Sequence, residues 1–167
     1  YTNSKQEVQD QILFSYFKNN FQNGIWDQAI NDIQSIDIST KMITYNDEPT
    51  VLSHVIPVNV YNNSNYSIVA ETFSSNDFCF YTEKLAKPLV AKRLFIVFSS
   101  PYYLKNLRKL GFKTFDGIID ESYDEIEDQE IRYKKAWEQV EKLATQALVI
   151  DQCRSIVEHN KNHFLLN

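Results

Sequence analysis

Apolar and polar positions follow two rhythms along this chain, and the change from one to the other marks out its elements. From Lys5 to Asn20 the apolar residues Val8, Ile12, Leu13, Tyr16 and Phe17 recur at helical spacing, and the pairs Asn19-Asn20 and Asn23-Gly24 stop the pattern. Ile25 to Ile38 repeats it with Ile25, Trp26, Ala29, Ile30, Ile33 and Ile36, which predicts a second amphipathic helix with Trp26 as a core anchor. Ser39 to Val51 is mixed, contains Pro49 and reads as loop. Val51 to Tyr61 reads as a helical turn followed by an extended piece after Pro57, and Asn62-Asn63-Ser64-Asn65 as a turn.

From Tyr66 the rhythm shifts to strand–helix–strand–helix. Tyr66 to Glu71 is an apolar run closing on a carboxylate, and Leu94 to Phe98 (LFIVF) is a continuous apolar run of the kind covered on both faces. Between them Thr72 to Phe80 is loop, and Thr82 caps a helix that runs to Arg93, shortened or kinked at Pro88. After the second strand, Ser100 as cap and Pro101 at the first helical position predict a helix ending at Gly111. Phe112 to Phe115 reads as the next strand. The acidic stretch Asp116 to Asp128 reads as a loop, and Gln129–Leu148 and Val149–Leu166 as two helices, with Asn160 and Asn162 as breakers of the last. This order predicts an α/β fold: a Rossmann-like three-layer domain with a mostly parallel sheet and C-terminal helices, residues 1–167 forming a single domain.

Composition narrows the chemistry. A formal charge of −5 argues against a dedicated nucleic-acid binder, which carries a basic face. No apolar run approaches the length of a membrane span. Three glycines, Gly24, Gly111 and Gly117, leave no phosphate-binding loop or dinucleotide fingerprint. Cys79 and Cys153 lie far apart and read as free thiols of a reducing compartment, which places the chain in the cytoplasm. His54, His159 and His163 share no ligand spacing with them, so no metal site is expected. The sequence opens on Tyr1 rather than Met, as a piece of a longer protein would.

Candidate binding chemistry gathers where the two strands end. Two helices begin just beyond their carboxyl ends, and helix N-termini there favour an anion such as a diphosphate. Lys84 in the first turn adds positive charge, and Glu83 offers the acceptor pair that a ribose diol needs. Adjacent on the helix, Glu83 and Lys84 are expected to point about 100° apart without pairing. Glu71 closes the first strand. The N–H groups after Ser100 could face the same ligand, and Tyr102 could stack on a base. No Ser/His/Asp or Cys/His constellation is present, so no catalytic residue is assigned.

The ordered pieces Val69-Ala70-Glu71, Tyr81-Thr82-Glu83-Lys84-Leu85 and the LFIVF strand resemble the donor-binding signature of the α-1,3-fucosyltransferases. The set Thr82-Glu83-Lys84, Lys87-Pro88-Leu89, Leu107 to Phe115 and Asp120 to Asp124 is similar to glycosyltransferase-like proteins of phage and environmental genomes. This resemblance, over roughly residues 65 to 130, implies the C-terminal, donor-binding half of a GT-B glycosyltransferase that works without a metal. Its donor would be a nucleotide-diphosphate sugar, with no further cofactor. The substrate-binding residues would be Glu71, Thr82, Glu83, Lys84, Ser100 and Tyr102. A second α/β domain or a partner chain would supply the acceptor half. The alternative is a non-catalytic nucleotide-binding or structural module, such as a virion component, derived from the same fold.

Overall fold

The structure is a computed structural model that describes residues 35–37, 42–45, 48–51, 53, 56, 58–74, 79–145 and 150–166. The helix expected over 5–20 and most of that over 25–38 lie outside the described residues. Ser35–Asp37, at the end of the latter, is strand β1. It pairs antiparallel with β2, Met42–Tyr45, which pairs antiparallel with β3, Glu48–Val51. The stretch read as a loop around Pro49 is therefore the last strand of a small meander. Pro49 is exposed, as suits a residue with no N–H to give a ladder.

A short helix α1, Val58–Asn62, replaces the extended piece expected after Pro57. Strand β4, Tyr66–Ala70, and helix α2, Glu83–Val90, then lead to strand β5, Leu94–Phe98. β4 and β5 pair in parallel, from Tyr66 opposite Leu94 to Ala70 opposite Phe98, so α2 is the crossover of one βαβ unit. Helix α3, Tyr103–Lys109, a short 3-10 helix over Glu121–Glu125, and the long helices α4, Gln129–Thr145, and α5, Ile150–Leu166, complete the chain.

The described residues do not form the Rossmann-like, mostly parallel three-layer sheet. Among the described residues the parallel sheet has two strands, and the molecule is predominantly helical. Hydrogen bonding explains the missing third strand. Phe112 to Phe115 joins no strand because side chains hold its backbone: the Asn160 amide bonds both Lys113 N–H and Lys113 C=O at 2.8 Å, and a Glu121 oxygen accepts from Phe115 N–H at 2.7 Å. The far edge of β5 is closed in the same way. The Tyr123 hydroxyl accepts from Val97 N–H at 3.3 Å, and Arg132 Nε donates to Ser99 C=O at 2.9 Å.

The core forms around β5, whose residues Leu94 to Val97 are buried. Leu85 and Leu89 of α2, Leu104 and Leu107 of α3, Ala136 of α4, and Phe115 of the segment after α3 belong to the same buried cluster. α5 packs on α2, and α4 lies over β5, where the Phe98 ring meets Tyr133 and Trp137 edge-on. Asn160 does not break α5; its amide is buried against the 112–115 segment.

Gly111 ends α3 at φ +91°, and a Cβ there would meet the His163 ring at 2.7 Å. That ring bonds Leu110 C=O at 2.7 Å and covers the end of α3, so it cannot move aside without losing the contact. Gly111→Ala is expected to lower stability by about 2 kcal/mol, read as a lower urea midpoint at unchanged slope.

Candidate functional site

The residues singled out from sequence do gather beyond the carboxyl ends of β4 and β5, but the chain itself occupies that edge. Glu71 is buried. Its Oε1 accepts from Thr82 N–H at 3.1 Å and from the Tyr103 hydroxyl at 2.7 Å, and its Oε2 accepts from the Thr82 hydroxyl. Burial raises the Glu71 carboxyl above its ordinary pKa, against the lowering pull of those hydrogen bonds. Thr82 caps α2 as expected, accepting from Lys84 N–H at 3.2 Å. Glu71 thus ties the end of β4 to the start of α2 and, through Tyr103, to α3.

Lys84 and Glu83 do pair, at 3.1 Å, because the long lysine stem bends back to its neighbour. The same ammonium donates to the Thr72 hydroxyl at 3.2 Å. Both charges are thereby used within the turn.

Ser100 does not cap α3. The residue at that position is Tyr102, in the left-handed region at φ 62°, with no capping side chain of its own. The cap comes from Asp124, far along the chain: its two carboxylate oxygens accept from Leu104 N–H at 2.8 Å and Lys105 N–H at 2.9 Å. Its carbonyl accepts from Tyr102 N–H at 2.6 Å. The Lys105 ammonium lies 5.1 Å from the Tyr102 ring centre, so that ring already carries a cation. Ser100 Oγ is buried without an oxygen or nitrogen partner among the described residues; the Cys79 thiol is the polar group beside it. Burial pushes that thiol up to about 11, which leaves it protonated and unreactive at neutral pH.

The acidic stretch is therefore turned inward more than its composition suggests. Asp124 caps α3, Glu121 holds Phe115 N–H and pairs with Arg108 at 2.9 Å, and Asp128 accepts from Ile131 N–H at the start of α4. Burial raises both Glu121 and Asp124. At the two helix starts expected to receive a diphosphate, Thr82 takes Lys84 N–H, and Asp124 takes the N–H groups of Tyr102, Leu104 and Lys105. Reading the sequence also missed Arg132. Its buried guanidinium donates to four carbonyls, those of Ser74, Ser99, Ile126 and Glu127, at 2.6 to 3.2 Å. Arg132 shares the buried face of α4 with Ala136, Val140 and Leu143, and a cation at that helical phase was the signal that could have found it.

Among the described residues, no strand pairs with the outer edge of β4. Glu71 N–H bonds Phe98 C=O at 3.0 Å, which fixes the phase of the parallel ladder. Ser67, Val69 and Glu71 point their N–H and C=O groups at β5. Tyr66, Ile68 and Ala70 point theirs away from it, and no strand pairs with them among the described residues. Ile68 is 46% exposed and Ala70 is exposed as well. A groove of about 400 Å³ runs along this edge, walled by Val60 and Tyr61 of α1, Tyr66 and Ile68 of β4, and Lys87 of α2.

Among the described residues no group of His, Cys, Asp and Glu is arranged to hold a metal ion, and no helix is long and apolar enough to cross a membrane. Compared with protein-family models, curated proteins and solved structures, the chain matches none. The likeness to the donor half of GT-B glycosyltransferases and to the fucosyltransferases does not survive the fold. Among the described residues, the pieces Glu71, Thr82-Glu83-Lys84 and LFIVF build one βαβ unit without the sheet that a nucleotide sugar needs beneath it. The nucleotide-sugar donor falls with that sheet, and with it the second domain or partner chain expected to complete a transferase.

Proposed function

We propose that this domain is a protein-binding module that takes an extended segment of a partner polypeptide onto the outer edge of β4. The observation that carries this reading is the row of backbone groups at Tyr66, Ile68 and Ala70 that no strand pairs with among the described residues, beside an apolar groove. Proteins usually blunt such an edge with charge, proline or a covering element. Here the edge carries Ile68, half exposed, and β5's opposite edge is closed by Tyr123 and Arg132. An added strand would gain main-chain hydrogen bonds from three β4 residues, and every second side chain would fall toward Val60, Tyr61 and Ile68. That spacing calls for a partner segment with alternating apolar residues. Free Cys79 and Cys153 go with a reducing, cytoplasmic setting.

The test is selection of peptides of about 12 residues from a displayed library, followed by titration of the chosen peptide. Binding is expected to fall at least about tenfold in Ile68→Lys, with thermal stability unchanged because Ile68 lies on the surface. Peptides N-methylated at alternate backbone positions are expected to lose binding in one phase and keep it in the other. Binding indifferent to Ile68→Lys, or self-association of the chain through this edge in place of peptide binding, would refute the proposal.

A further inference from the structure

We propose a second site, independent of the β4 edge: a phosphate-binding cavity at the opposite, amino-terminal end of the parallel strands. A cavity of about 280 Å³ opens there between the turn after α1, the turn into β5 and helix α5. Lys92, Arg93 and Arg154 line it against one carboxylate, Glu158, a balance of +2 in a chain whose formal charge is −5. A phosphate monoester carries a matching charge near neutral pH and the oxygen geometry that a guanidinium grips.

Two details show that these cations are placed. Lys92 ends α2 in the left-handed region, at φ 55°, where glycine is the usual occupant. Its backbone costs about 1 kcal/mol in that conformation, yet a long cationic side chain stands there and reaches Glu158 at 2.6 Å. Arg93 is held by its own neighbourhood: Nε donates to Tyr61 C=O at 2.7 Å, and Nη1 to the carbonyls of Ala91 and Lys92 at 3.1 Å. Its Nη2 makes no hydrogen bond among the described residues, so two N–H donors on an anchored guanidinium remain for a ligand. Arg154 pairs with Asp151 at 2.8 Å, but both side chains are largely exposed, and such a pair exchanges easily for a stronger partner. Asn62 and Asn65 on the facing turn supply uncharged donors at the rim.

Glu158 is the resident competitor. A bound phosphate would take Lys92 from it, so removing the carboxylate should help the ligand. The experiment is calorimetric titration of the intact chain with inorganic phosphate and with phenyl phosphate at constant ionic strength. One site per chain is expected, with a dissociation constant of about 0.1 mM. Arg154→Gln and Lys92→Gln are expected to weaken binding about tenfold each, and Glu158→Gln to strengthen it severalfold. Arg154 is exposed, so its variant separates lost binding from lost folding. Absence of binding, equal binding by chloride, no change in Arg154→Gln, or unchanged or weaker binding in Glu158→Gln would overturn the assignment. Stronger association with phosphatidic-acid vesicles than with phenyl phosphate would also overturn it, since the site is argued to enclose a small soluble monoester.

Discussion

Replacing Arg132 by methionine is expected to remove about 3 to 4 kcal/mol of stability and to lower the melting temperature by roughly 10 °C. The side chain is 2% exposed, and its guanidinium is the common donor for four carbonyls on three separate pieces of chain. Ser74 belongs to the loop after β4, Ser99 to the end of β5, and Ile126 and Glu127 to the entry of α4. Methionine fills most of the space but leaves these carbonyls dry and unpaired, and each such group costs about 1 kcal/mol or more. Arg132→Lys keeps the charge with one point donor in place of a planar fork, so it should recover less than half of the loss. Chemical denaturation of the three proteins measures both. A methionine variant within about 1 kcal/mol of the parent would mean that water already serves those carbonyls.

The second large effect belongs to Glu71. Glu71→Ala takes the acceptor from Thr82 N–H, the Thr82 hydroxyl and the Tyr103 hydroxyl together, and should cost about 3 kcal/mol. Glu71→Gln keeps an oxygen for Thr82 N–H and Tyr103 and offers an N–H to the Thr82 hydroxyl, so it should cost under about 1 kcal/mol at neutral pH. The pair also predicts a pH dependence. Burial raises the carboxyls of Glu71, Glu121 and Asp124 in the folded chain. The folded state then binds protons more tightly than the unfolded one. Stability is therefore greatest on the acid side and falls as pH rises from the ordinary carboxyl range through the raised values. Asp120 and Glu138 are shifted down and act in the opposite sense, but they lie at the surface, where screening by water keeps their effect small. Thermal melts between about pH 5 and 7 should show the parent losing stability with rising pH, and Glu71→Gln losing less of it. A parent that gains stability across that window would contradict the burial of these carboxyls.

Local pattern was enough for the elements that set their own boundaries. The apolar runs of β4 and β5, Thr82 at the cap of α2, and the onset of α4 at Gln129 all sit where the sequence places them. The errors share a different physical cause: groups distant in sequence compete for the backbone. Phe112 to Phe115 has the composition of a strand, but Asn160 and Glu121 take its backbone groups before a neighbouring strand can. Ser100-Pro101 has the composition of a helix start, but the helix begins two residues later, capped by Asp124, and Tyr102 takes the strained backbone conformation. Propensity could not separate β1 from the end of a helix at Ser35 to Asp37, because Ile33 and Ile36 fit a helical face as well as the edge of a sheet. The nucleotide-sugar reading failed for the same reason. The positions of Glu71, Thr82 and Ser100 at the carboxyl edge were legible, but the carboxylates that fill the helix starts come from a stretch that reads as solvated loop. The open edge of β4 was hidden for the converse reason: a run such as YSIVA does not say whether it has one neighbour or two.

Among the described residues, β4 has one side in a ladder and no strand on the other. Amide hydrogen exchange, resolved residue by residue, tests this directly. In the free chain the amides of Val69 and Glu71 should be protected, and those of Ile68 and Ala70 should exchange quickly, becoming protected when a selected peptide is added. Strong protection of Ile68 and Ala70 in the free chain, or none gained in the complex, would contradict it.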